Sequence, residues 1–160
     1  MKKSTIISTI AGVVAGVVAS STFLYKKQKK IIDRKLEHTS KLKEFYEVLI
    51  VWLTIKQEGK SLIDYFKKNN YKTIAVYGMK ELGERLLSEL KESEIEVKYI
   101  IDKNAAEIYT DLDIYTPEDE LEDVDVVIVT AIHYFNEIEA EMCNKMKCPI
   151  VSLEDVIYEV

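Results

Sequence analysis

Residues 74–102 read IAVYGMKELGERLLSELKESEIEVKYIID, and this stretch decides the fold. It opens with an apolar run, Ile74 to Tyr77, that suits a strand buried on both faces. Gly78 makes a turn, and Gly83 falls where the first turn of a helix presses on that strand. Leu82, Leu86, Leu87 and Leu90 then give one apolar helical face. A second strand, Ile95 to Ile101, ends in an acid, Asp102. Strand, turn, helix and strand in this order make a βαβ unit of a parallel sheet.

The glycine spacing adds chemistry to that unit. A dinucleotide-binding turn carries G-x-G-x-x-G, with an acid about 20 residues on to hold a ribose. Here the turn reads Gly78-Met79-Lys80-Glu81-Leu82-Gly83, and Asp102 follows Gly83 by 19 residues. The middle glycine is replaced by Lys80, whose Cβ obstructs close backbone approach to a pyrophosphate while its ammonium can meet the phosphate instead. The N–H groups near Lys80, Glu81 and Leu82 start a helix and form a natural anion site. Glu81 suits the helix dipole but opposes a phosphate. The alternative is a turn of the same shape that binds nothing, with Asp102 a solvated acid ending a strand.

Outward from this unit, strands and helices keep alternating. Ser61, with Asp64 three residues on, caps a short helix through Leu62, Ile63, Tyr65 and Phe66 that stops at Asn69-Asn70. Asp113-Ile114-Tyr115 is at most a short strand, and Thr116-Pro117-Glu118 starts a helical turn with proline first. Val124 to Thr130 is the clearest buried strand; a helix from Phe135 to Met146, a strand from Pro149 to Leu153 and a last turn with Val156 and Ile157 follow. The expected architecture is α/β: five parallel strands in the order 3-2-1-4-5, with the switch point between the first and fourth. A ligand then lies over Gly78 to Gly83, Asp102, and Thr130, Ala131 and His133. Asp102 accepts from either ribose hydroxyl, so it does not separate NAD from a nucleotide sugar; Lys103 beside it softens exclusion of a 2′-phosphate. His133 has a pKa suited to proton transfer near neutrality, but no Ser, Cys or carboxylate partner is evident in sequence, and a loop histidine also serves as plain surface.

The first third of the chain differs in composition. Residues 1–43 carry ten Lys/Arg against two Asp/Glu, and residues 44–160 carry 12 against 26. An acidic body is unsuited to DNA or RNA, whose phosphates supply most binding affinity. Ser4 to Tyr25 holds no charge over 22 residues, about 33 Å as a helix and enough to cross a bilayer. Lys26, Lys27, Lys29 and Lys30 follow it, which keeps the body cytoplasmic if residues 1–25 are an uncleaved anchor; the alternative is a signal peptide cut near Ala19. Ser8, Gly12, Gly16 and Ser20 place small side chains on one stripe, and the Gly12/Gly16 step permits close helix pairing in a homodimer. From Lys26 to Glu58 nothing interrupts a helix, which Gly59 stops. In that basic neck and stalk, Leu42, Phe45, Leu49 and Trp52 form a short coiled-coil-like seam that pairs a stalk or packs on the body. Cys143 and Cys148 make neither a C-x-x-C pair nor a disulfide framework, and two histidines without ligand spacing give no zinc site.

Taken together, residues 59–90, 97–105, 124–138 and 149–157 resemble a small Rossmann-like domain of bacterial cell-surface polysaccharide systems. The resemblance implies a domain over residues 59–160 that binds NAD or a nucleotide sugar and works with a polysaccharide-biosynthesis partner. Such relatives carry glycine where this chain has Lys80, and oxidoreductases of that kind carry a further substrate domain. Three functions follow: a membrane-tethered nucleotide-binding module, a scaffold that only docks partners, or a subunit of a sugar-nucleotide-modifying enzyme.

Overall fold

A computed structural model describes residues 2–160, and side chains from Leu24 onward. The chain divides into two compact units, Met1–Tyr46 and Glu47–Val160. Helix α1 spans Lys2–Gln57. Among the described residues no helix is long and apolar enough to cross a membrane. The uncharged run up to Phe23, with the stripe of Ser8, Gly12, Gly16 and Ser20, lies outside the described side chains.

Five elements follow the Gly59 turn before the second half of the sheet. They are α2 (Leu62–Lys68), β1 (Thr73–Tyr77), α3 (Glu81–Leu90), β2 (Glu96–Ile101) and the two-residue β3 (Ile114–Tyr115). β4 (Val126–Val129), α4 (Phe135–Met142), β5 (Ile150–Ser152) and α5 (Leu153–Glu159) complete the chain. The sheet is five-stranded, ordered β3-β2-β1-β4-β5, with every pairing parallel. This is the α/β architecture and strand order expected from the alternation of elements. In register, Tyr77 at the end of β1 lies between Ile101 of β2 and Val129 of β4.

Side-chain alternation divides the sheet's core between its two faces. Ala75, Tyr77, Tyr99, Ile101, Val127 and Val129 cluster with Ile138 and Met142 of α4. Ile74, Val76, Ile100, Val126 and Ile128, all buried, are left for the other face. At the opposite ends of the strands, Asp125 accepts from the backbone N–H groups of Lys72 and Thr73, both at 2.8 Å, and pins β1 to β4.

Local chemistry sets the helix ends. Ser61 and Asp64 form the expected capping box of α2. Gly59 has φ +77°, and the Gly59 and Lys60 N–H groups bond the Lys56 and Ile55 carbonyls in a Schellman closure of α1. Two expectations are corrected. Thr116-Pro117-Glu118 forms a turn and no helix: Asp119 takes the Thr116 N–H and hydroxyl, closing the turn on itself. The helix read to Met146 ends at Met142, where the Lys145 and Met146 N–H groups both fold back on the Met142 carbonyl.

The second unit includes the C-terminal turns of α1. Val48, Trp52 and Ile55 are buried there, spaced 4 and 3, whereas Leu42 is exposed and Phe45 and Leu49 are only half-buried. The packed face therefore shares Trp52 with the expected seam but is rotated away from it. One carboxylate fastens this layer. Glu89 of α3, its side chain 6% exposed, accepts from Trp52 Nε1 (2.8 Å), Ser61 Oγ (2.8 Å) and Leu62 N–H (2.9 Å), and pairs with Lys56 Nζ at 3.1 Å. Burial raises its pKa, but the bonds from Leu62, Ser61, Trp52 and Lys56 outweigh that and hold it below the ordinary value.

Candidate functional site

The site expected from the glycine spacing begins where β1 ends. Gly78 sits at φ +95°, and a Cβ there would meet Thr130 Oγ1 at 2.9 Å. A Cβ on Gly83 would stand 2.4 Å from the Gly78 carbonyl oxygen, closer than any side chain is accommodated. Both glycines are thus fixed by backbone shape and close helix–turn packing. Lys80 occupies the N-cap of α3 with extended backbone (φ −100°, ψ −158°), a conformation open to any L-residue. The turn therefore does not require the missing middle glycine. Lys80 and Glu81 are exposed, while Leu82 is buried with Gly83.

Asp102 and Thr130 close the turn from both sides. The Asp102 carboxylate, with the residue 9% exposed, accepts from Met79 N–H at 2.9 Å and from Asn104 N–H at 2.8 Å. Thr130 Oγ1 lies 2.6 Å from the Gly78 carbonyl and 3.2 Å from that of Tyr77, and the Thr130 N–H donates to Tyr77 O at 2.9 Å. Ala131 packs against Gly78. The fold thus brings Gly78, Met79, Asp102, Thr130 and Ala131 into one knot, with Lys80 and Glu81 at its rim.

Lys103 and His133 are placed elsewhere. Lys103 Nζ pairs with Glu141 of α4 at 3.4 Å. His133 belongs to a 3₁₀ turn, Ile132–Tyr134, and lines a cleft of about 310 Å³ with Asn136, Glu137, Ser152, Glu154 and Asp155. That cleft lies over the ends of β4 and β5. Of its walls the sequence reading names only His133 as a site residue; Asn136, Glu137, Ser152, Glu154 and Asp155 were missed, although Ser152 followed by Glu154 and Asp155 is a helix-start signal, and Ser152 Oγ accepts from Glu154 N–H at 3.3 Å.

Tyr77 was also missed, having been read only as a strand residue. It is 4% exposed, and its hydroxyl has no hydrogen-bond partner among the described residues. Burial, with smaller contributions from Glu141, Asp102 and Glu118, pushes its pKa up to about 12, so it stays protonated at neutral pH. Among the described residues no His, Cys, Asp and Glu group is arranged to hold a metal. The knot thus holds one acid whose two oxygens each accept a backbone N–H, with one exposed lysine at its rim.

Residues 69–149, just over half of the 160, match the family model described as C2185-like, N-terminal. The chain belongs to the C2185-like, N-terminal family. The match to the C2185-like family runs from the end of α2 to the residue before β5, and so contains the glycine turn, Asp102, Thr130 and His133. No curated protein and no solved structure matches this C2185-like chain.

Proposed function

We propose that this chain is a membrane-tethered, Rossmann-like module that binds a ligand bearing a ribose and a diphosphate, either NAD(H) or a nucleotide sugar. Its role is accessory, serving a protein partner in cell-envelope polysaccharide biosynthesis. The observation that supports this reading is the bond from Met79 N–H to the Asp102 carboxylate, which ties the ribose-holding acid to the phosphate-facing turn at the switch point. Each carboxylate oxygen has two acceptor positions, and the protein fills one on each through Met79 and Asn104. In this reading a ribose diol takes the remaining positions. The free N–H groups in the first turn of α3, with Lys80 beside them, supply the diphosphate contact. The tether rests on the uncharged Ser4–Tyr25 run and the lysines that follow it.

The same Asp102 geometry favours one competing reading, a scaffold in which this acid only holds the turn closed. Amide shifts of the full chain separate the two during titration with NAD(H) and with a UDP-sugar. Ligand binding moves the Gly78, Met79, Glu81 and Leu82 amides saturably. Lys80→Gly then weakens affinity about tenfold through loss of a charge-assisted contact, and flattens the salt dependence. Unmoved amides at millimolar ligand, in wild type and in Lys80→Gly, assign the protein to the scaffold.

A further inference from the structure

The cleft after β4 adjoins the knot. Thr130 and Ala131, which close the knot, run straight on into Ile132 and His133 of the cleft wall. Across the C-terminal ends of the strands the order is β2, β1, β4, β5. Asp102 follows β2, the first turn of α3 follows β1, and the cleft lies over β4 and β5. Neighbouring strands are about 4.8 Å apart, so these three places lie in a row about 12 Å long. The cleft is polar, and its charge has one sign. No Lys or Arg lines it, whereas Glu137, Glu154 and Asp155 do. Glu137 and Asp155 are exposed and enter no ion pair among the described residues. Ser152 lines the same cleft but is only 4% exposed. Capping α5 uses its oxygen, which accepts from Glu154 N–H; among the described residues its own hydrogen meets no acceptor.

We propose that this cleft holds the sugar ring of a nucleotide sugar, and that the sugar carries no acidic group. The carboxylates accept hydrogens only, Asn136 both donates and accepts, and the buried Ser152 hydroxyl has a hydrogen to give. A matching ligand group donates several hydrogens, accepts at least one and bears no negative charge. The hydroxyls of one sugar ring do all of this. The nicotinamide of NAD, a flat ring with a single carboxamide, meets few of these partners. The volume, about 310 Å³, is at the small end of ligand sites, which favours one ring beyond the diphosphate over a ribose with a nicotinamide after it. The row of three places also matches the order of ribose, diphosphate and sugar along such a ligand. An acidic sugar would set its carboxylate against Glu137 and Asp155. This inference rests on the nucleotide-binding reading above and selects between its two ligands.

The test is titration calorimetry on the full chain, with ligands that share one nucleotide half and differ in the group that reaches the cleft. UDP-glucose or UDP-N-acetylglucosamine binds at least tenfold more tightly than UDP and than UDP-glucuronate, and ADP-glucose binds more tightly than NAD. Glu137→Ala, at an exposed position, weakens the UDP-sugar about tenfold through loss of a charge-assisted acceptor and leaves UDP unchanged. Glu137→Lys raises affinity for UDP-glucuronate relative to UDP-glucose at least tenfold. Four results would each overturn the sugar cleft and leave a nucleotide module standing. They are UDP binding as tightly as both sugar conjugates, UDP-glucuronate binding as tightly as UDP-glucose, NAD binding more tightly than ADP-glucose, and equal losses for UDP and the UDP-sugar in Glu137→Ala. If none of these ligands binds at millimolar concentration, the nucleotide-binding reading itself falls, and the sugar cleft with it.

Discussion

The turns that follow β1 and β4 lie at the same end of neighbouring parallel strands, yet one is sealed and the other open. After β1, every contact is close: Gly83 against the Gly78 carbonyl, Asp102 on Met79, Thr130 on Gly78. After β4, the chain passes through a 3₁₀ turn and leaves a polar cleft of about 310 Å³. The sealed turn carries the recognisable spacing, and the open one carries the room. A fingerprint in sequence therefore marks where backbone shape is constrained. It does not by itself mark where a ligand has space.

The largest effect that would break this contrast comes from Gly83→Ala. Alanine gains up to about 1 kcal/mol in helix propensity, but its Cβ has only 2.4 Å to a backbone oxygen. The clash should win, with a net loss of about 2 kcal/mol or more in urea unfolding. A neutral result would mean that the turn is not sealed. Thr130→Val keeps the shape and removes the hydroxyl bond to Gly78, for an expected loss of about 1 kcal/mol. Smallest of all, Glu137→Ala in the cleft wall should change stability by less than about 0.5 kcal/mol. If the same variant shifts amides or affinity in a nucleotide titration, the open turn shares the ligand with the sealed one.

What could be read from sequence follows the same division. The β1–α3–β2 unit was legible because a short apolar run, two glycines and a 3.6-residue leucine period agree on one local structure. Ser61 with Asp64 declared the start of α2 in the same way. The end of α4 was not legible, because no glycine or proline stops it; carbonyl sharing at Met142 does. Nor was the packed face of α1: Leu42 and Val48 are equally apolar, and only the tertiary structure, in which Trp52 bonds Glu89, buries Val48, Trp52 and Ile55. The cleft joins residues 132–137 to residues 152–155, which no spacing rule connects. Asp102 was found by its offset, but its bond to Met79 belongs to the tertiary structure.

Glu89 fixes where this protein can be cut. A fragment starting at Gly59 would keep the whole sheet and the whole family match, yet it would lose Trp52 and Lys56. The carboxylate would then lack its counter-charge and the indole donor, and the surface once covered by Val48, Trp52 and Ile55 would be wet. The boundary of the family is thus not the boundary of the folding unit, which reaches back to Glu47. Any truncation meant to yield a free-standing body has to keep the last three turns of α1, and a fragment trimmed to the family match would report the instability of its own exposed edge.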